Sequence, residues 1–206
     1  MKIPAAVAIA TIALAGGVDN AAAKSPACAK KGSKTVVSTH SVRVYSVANR
    51  DDGRNLYGCL RSNDRRQLLT RSFDDGYVTS AGYGHVRVAG RFVAWDESYT
   101  DDSCKADCPP DYEVTTYTVS VRDLKRRKTQ AVDGKVDGRL VVTAGGAIAW
   151  TQNDGSEVVV DAYDGGGARE LDRGAEVGLR SLRLKGSTVS WTNGGESRSA
   201  ELKPRV

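Results

Sequence analysis

Residues 85–97 read "HVRVAGRFVAWDE". Apolar and polar residues alternate through "VRVA", a Gly-centred break follows, and "FVAW" resumes the apolar pattern, so the stretch predicts strand, tight turn, strand. It decides the fold because imperfect copies recur. Residues 86–95 are "VRVAGRFVAW" and 182–191 are "LRLKGSTVSW", while 140–150 are "LVVTAGGAIAW" and 36–45 are "VVSTHSVRVY". The first apolar residue and the closing aromatic stand nine positions apart in three copies and ten in the third, "LVVTAGGAIAW". Recurrence at this spacing marks an internal repeat.

Each hairpin is followed by a third strand and, in three units, a fourth. The continuations are "LYGCLRSNDRRQLL" from Leu56, "TVSVRDLKRRKTQAV" from Thr118 and "VVVDAYDGGGARELD" from Val158, with only "SRSAEL" in the last unit. An apolar strand, a Gly turn, a strand ending in Ala-Trp and an alternating strand ending in Arg-Asp-Leu together resemble the blades of TolB-like β-propellers. The resemblance covers residues 36–202, with "VAGRFVAWDE" and "YTVSVRDLKRRK" its best instance. The turns here are Ala-Gly-Arg, Ala-Gly-Gly and Lys-Gly-Ser where that family places Pro-Asp-Gly.

The expected fold is all-β: four repeated antiparallel units of three to four strands, propeller-like, forming either a closed four-bladed ring or an open, incomplete one. The units are expected at 35–72, 85–132, 139–172 and 181–203, within a single domain at 35–206. Because a lone sheet cannot bury both faces, neighbouring units must stack. Tyr45, Trp95, Trp150 and Trp191, at the repeated aromatic position, are therefore expected to fill the space between them.

The chain has 206 residues, 22 of them glycine, with one methionine and a net charge of +5. No long apolar pattern of helical period appears. The opening "MKIPAAVAIATIALAGGVDNAAAK" has an early Lys2, a short apolar run and an Ala21-x-Ala23 ending. It predicts an export signal cleaved after Ala23, a tail over 24–34 and a secreted or extracytoplasmic protein without a membrane span. The processed chain would start at Lys24 and not at a cysteine that could carry lipid. Exported cysteines oxidise by default, and four of them permit three pairings. We expect Cys104 with Cys108 inside one loop, and Cys28 with Cys59 tying the tail to the body. One C-x3-C without a second ligand pair cannot complete a tetrahedral metal site.

Up-and-down units sort charge between their two ends. The turns after each third strand collect Arg61, Arg65 and Arg66, then Arg122, Lys125, Arg126, Arg127 and Lys128, then Arg169. This basic rim suits a polyanion such as a phosphate-bearing polymer, and it also blocks edge-to-edge strand pairing. The opposite end collects Asp96, Glu97, Asp101, Asp102, Asp107, Asp111 and Glu113, with Tyr99 and Tyr112 among them. That insertion, "DDSCKADCPPDYE", is the expected binding loop; it offers oxygen ligands for calcium, yet lacks the Gly and closing Glu of the twelve-residue calcium loop.

His40 and His85 lie beside no catalytic motif, and no nucleophile elbow or metalloprotease signature is present. The expected function is a non-enzymatic binding or scaffold protein without a cofactor, acting on an extracellular or envelope ligand. The alternative is a small secreted glycan hydrolase that uses carboxylates of the acidic face. An open ring would leave an edge at unit four for self-association.

Overall fold

The computed structural model describes residues 28–75, 79–101 and 114–205, which form four antiparallel sheets and, among the described residues, no helix. The first sheet holds β1 (Lys34–Ser38), β2 (Val42–Ala48), β3 (Arg54–Leu60) and β4 (Arg65–Arg71). The second holds β5 (Phe73–Asp74), β6 (Thr79–Ala89), β7 (Phe92–Asp101), β8 (Val114–Asp123) and β9 (Lys128–Asp133). The third holds β10 (Leu140–Val142), β11 (Ile148–Asp154), β12 (Glu157–Asp164) and β13 (Gly167–Gly174). The fourth holds β14 (Arg183–Lys185), β15 (Thr188–Asn193) and β16 (Glu196–Glu201). In every sheet the strands lie side by side in chain order.

The second sheet differs from the expected unit at 85–132. It begins upstream, and the polar "DESYT" stretch is strand where a loop was expected. Asp96 to Asp101 of β7 pair on one side with Gly84 to Thr79 and on the other with Val119 to Val114. Backbone pairing on both sides overrides the polar composition, because the ladder satisfies the main chain whatever the side chains are.

Side chains of period two give each inner sheet two apolar faces. Val93 and Trp95 of β7 face the first sheet, packing with Val42, Val44, Leu56 and Leu60. Phe92 and Ala94, one position out of phase, face the third sheet with Leu140, Ile148 and Trp150. Ala147 and Ala149 in turn face the fourth sheet, where Leu182, Val189 and Trp191 close the layer. Each tryptophan thus looks back toward the sheet that precedes it in the chain. Strands β1, β6, β10 and β14, the first strand of each sheet apart from the short β5, pack successively on one another.

Tyr45 occupies the same place in the first sheet, which no sheet precedes. Its ring is 1% exposed and stacks on Tyr57 at 5.6 Å. The cover is the N-terminal segment: Cys28 is bonded to Cys59, and the two cysteines cluster with Tyr45. Arg43 donates to the Cys28 carbonyl at 2.8 Å while its guanidinium lies 4.8 Å above the Tyr45 ring. Burial raises the Tyr45 phenol above its ordinary range, against the lowering pull of Arg66 and Arg43.

At the other end of the stack, the outward face of the fourth sheet carries Thr188, Ser190 and Thr192 opposite Glu201, Ser199 and Ser197. It is polar throughout, and among the described residues no apolar cluster joins it to the first sheet.

One charge lies inside this frame at a cost. Asp161 of β12 pairs in register with Trp150 on one side and with Glu170 on the other. Burial pushes its carboxyl up to about 6; Glu170 adds to the rise and Arg173 opposes it. A group whose folded pKa lies above its unfolded value holds more protons when folded, so stability falls as pH rises from about 4 through 6. Asp161→Asn should therefore stabilise the protein at pH 7.5 by about 1–2 kcal/mol, discounted for solvent screening, and by nothing at pH 3.5. Urea unfolding at the two pH values checks this, and an equal effect at both would refute it.

Candidate functional site

The β1–β2 and β3–β4 turns of the first sheet, the β6–β7 and β8–β9 turns of the second and the β10–β11 and β12–β13 turns of the third meet at one end of the stack. In the first sheet the Arg61 N–H donates to the Ser41 carbonyl at 2.9 Å, and in the second the Leu124 N–H donates to Arg91 at 3.1 Å. The segment "RDLKRRK", 122–128, shows how the sequence builds this end. Asp123 turns inward and its Oδ1 accepts the N–H groups of Lys125 (2.8 Å) and Arg126 (3.0 Å), while Oδ2 accepts Arg91 Nε at 2.9 Å. Leu124 is buried against the first sheet. Of the other five positions, Arg122 is half-buried and donates to Gln67 Oε1 at 2.9 Å, while Lys125, Arg126, Arg127 and Lys128 are held in solvent.

Asp164 repeats the device in the third sheet. Its Oδ1 accepts the Gly166 N–H at 2.7 Å; its Oδ2 accepts Arg169 at 2.9 Å and the Lys203 N–H at 3.1 Å. Burial alone would raise this carboxyl, but Arg169 and the two N–H groups hold it below the usual carboxylate range. Both carboxylates are consumed by the turns they organise. The charge presented outward is therefore that of the cations.

Between the second and third sheets this end opens into a cleft of about 440 Å³. Phe92, Val121 and Tyr163 are among its lining, together with Arg126, Lys128 and Arg205. Gly146 closes one wall: its φ is +82°, and a Cβ there would lie 2.6 Å from the Phe92 ring, so only glycine lets this turn reach the aromatic. Residues 202–205 cross the end as a strap. Leu202 donates to Ser187 in the fourth sheet, Gly165 of the third donates to Lys203, and Arg205 donates to Gly145. Arg205 then places its guanidinium 3.4 Å from the Tyr163 ring centre and donates from Nε to Gln130 Oε1 of β9 at 2.8 Å.

Comparison with protein-family models, with curated proteins and with solved structures finds no match to this chain.

The residues singled out from sequence fall into three groups. Arg65, Arg66, Lys125, Arg126 and Arg127 lie exposed at the turn end. Arg61 is half-buried there, bonding the Thr39 carbonyl at 3.2 Å and Ser38 Oγ at 2.8 Å, while Arg66 interacts with the Tyr45 phenol. On the acidic end, Tyr99 and Asp101 stand on β7. Tyr99 is exposed and tilted against Phe73 at 6.5 Å. Asp102, Asp107, Asp111, Tyr112 and Glu113 lie outside the described residues, as do Cys104 and Cys108 and the expected signal at 1–23.

Glu97, counted with the acidic cluster, is structural. It accepts Trp95 Nε1 at 2.7 Å, Ser120 Oγ at 3.2 Å and Thr70 Oγ1 at 2.6 Å. Two features had no sequence signal. His85 sits on a bulge with φ +43°, its Nδ1 3.2 Å from Asp96. Arg205 reaches the cleft from a chain end with no strand or turn pattern. The sole cluster of metal-ligating types among the described residues, Cys28, Cys59 and Asp64, contains the disulfide sulfurs, which are not free thiolates.

Proposed function

We propose that this chain is an exported, non-catalytic binding or scaffold protein that engages a phosphate-rich polyanion through its turn end, carried on an open, propeller-like stack of TolB-like units. The observation that carries the reading is the sorting of charge. Lys125, Arg126, Arg127, Lys128, Arg65 and Arg66 face solvent at one end, while Asp123 and Asp164 are turned inward onto N–H groups and arginines. A surface so composed attracts a polymer of negative charge and releases its counterions.

Successive packing of β1, β6, β10 and β14 supports the propeller-like reading, since the first strands of neighbouring blades line a common axis. The Cys28–Cys59 bond agrees with an oxidising compartment. Among the described residues no helix is long and apolar enough to cross a membrane. A hydrolase needs one carboxylate free to protonate a leaving group and another free to attack or activate water. At the cleft Asp123 and Asp164 are both engaged in turn bonds, which favours binding over hydrolysis at this end of the molecule.

The test is binding of long-chain polyphosphate to the full chain as a function of salt. Tight binding at low salt is expected, with log K falling linearly against log salt. The triple variant Arg65→Ala, Lys125→Ala, Arg127→Ala should lower that slope by about 2, from roughly 0.7 per cation. An unchanged slope sinks the proposal.

A further inference from the structure

We infer that the cleft between the second and third sheets is a site for a phosphate ester on a compact polyol or sugar body, the unit from which a phosphate-containing polymer is built. This rests on the polyanion reading above and names where the polymer is gripped.

The cleft lies among the exposed cations of the turn end and differs from them in depth. Its two carboxylates have their own cationic partners, Arg91 on Asp123 and Arg169 on Asp164. Three cations remain over. Arg126 stands 4.0 Å from Asp123, a loose contact on an exposed side chain. Lys128 has no partner among the described residues. The Arg205 guanidinium donates to neutral acceptors, Gln130 Oε1 at 2.8 Å and the Asp164 carbonyl at 2.8 Å. It is therefore oriented by two bonds and a ring, while among the described residues no carboxylate pairs with it.

A prealigned planar fork beside two exposed cations suits the several oxygens and the double charge of a phosphate group. Volume and lining argue for an ester. About 440 Å³ falls in the range of small-molecule sites and exceeds the need of a bare anion. Phe92, Val121 and Pro204 supply apolar wall on which the carbon body can rest. The ring face of Tyr163 is covered by Arg205, so the geometry favours a saturated body over a stacked base.

Calorimetric titration of the full chain at low salt with glycerol 3-phosphate, glucose 6-phosphate and inorganic phosphate tests this. Both esters should bind at least fivefold more tightly than inorganic phosphate, and polyphosphate should displace them. Lys128→Ala should weaken the esters about fivefold or more, and Arg205→Lys, which keeps charge but loses the fork, by a similar factor. Lys34→Ala, an exposed cation on β1 outside the cleft and the cationic turns, should leave ester affinity unchanged.

Lys128 is exposed and unpartnered, so its variant reads the site without disturbing the fold. Equal affinity for ester and inorganic phosphate, or ester binding insensitive to Lys128→Ala and Arg205→Lys, overturns the inference. Polyphosphate binding without any ester binding overturns the cleft assignment and leaves the surface reading intact. Failure of the polymer as well removes both.

Discussion

Trp150→Ala is expected to lower unfolding free energy by about 3–5 kcal/mol and the thermal midpoint by roughly 6–20 °C in a chain of this size. The ring is 2% exposed and packs with Phe92, Val119, Leu140 and Ile148 in the layer that joins the second and third sheets. Gly134 lies against it so closely that a Cβ would come 2.8 Å from the ring. No side chain stands there to fill the vacated space, so a cavity remains. The indole also differs from its two counterparts. Trp95 donates to Glu97 at 2.7 Å and Trp191 to Asp172 at 2.6 Å, whereas Trp150 Nε1 is buried without a partner.

Replacement by phenylalanine therefore separates volume from hydrogen bonding. Trp150→Phe keeps most of the packing and removes an unsatisfied donor, so it should cost under about 1.5 kcal/mol. Trp191→Phe takes a donor from a carboxylate that burial would raise and that Trp191, Asn193, the Arg173 N–H and Arg198 hold low; about 2–3 kcal/mol is expected there. Urea unfolding of the three variants settles the ranking. Equal costs for the two phenylalanine variants would show that the lone indole N–H does not matter.

Reducing the Cys28–Cys59 bond, or replacing both residues by serine, should cost about 3–4 kcal/mol, the loop-closure entropy of a 31-residue separation. The damage should be uneven. Sheets stacked in one dimension share energy only with their neighbours, and terminal units need a cap. Here the cap is the segment that covers Tyr45, held further by Arg43 and by the Cys28 N–H donating to Asp64 Oδ1. Hydrogen exchange on the reduced protein should show lost protection across β2 and β3 and little change in β11 and β12. Uniform loss across all four sheets would mean that the molecule unfolds as one unit and that the cap has no local role.

Four sheets were legible because a turn and an aromatic at nearly fixed spacing outlast large changes in the residues between them. The cationic end was legible for a related reason: up-and-down order alone sends "SNDRR" and "LKRRK" to the same side. The path of the second sheet was not, because "DESYT" is polar and its strand character comes from pairing on both sides, a non-local cause. The surroundings of Tyr45 were hidden as well. Its position in the repeat matches the tryptophans, but what covers it is fixed by the absence of a preceding sheet and by Cys28. The cleft was out of reach of pattern reading, since "ELKPRV" carries neither period nor turn signal and Arg205 works through a partner 75 positions away.

That last contact has a thermodynamic consequence. The strap hangs from the fourth sheet, the one with a single apolar face, yet it completes a wall of the cleft on the far side of the third sheet. A molecule held between Arg205 and Lys128 thus binds only where the last sheet and its strap are in place, and by mass action it strengthens their hold. For a ligand held as proposed, opening of the fourth sheet and release would be one event, and the least covered part of the protein would set its residence time.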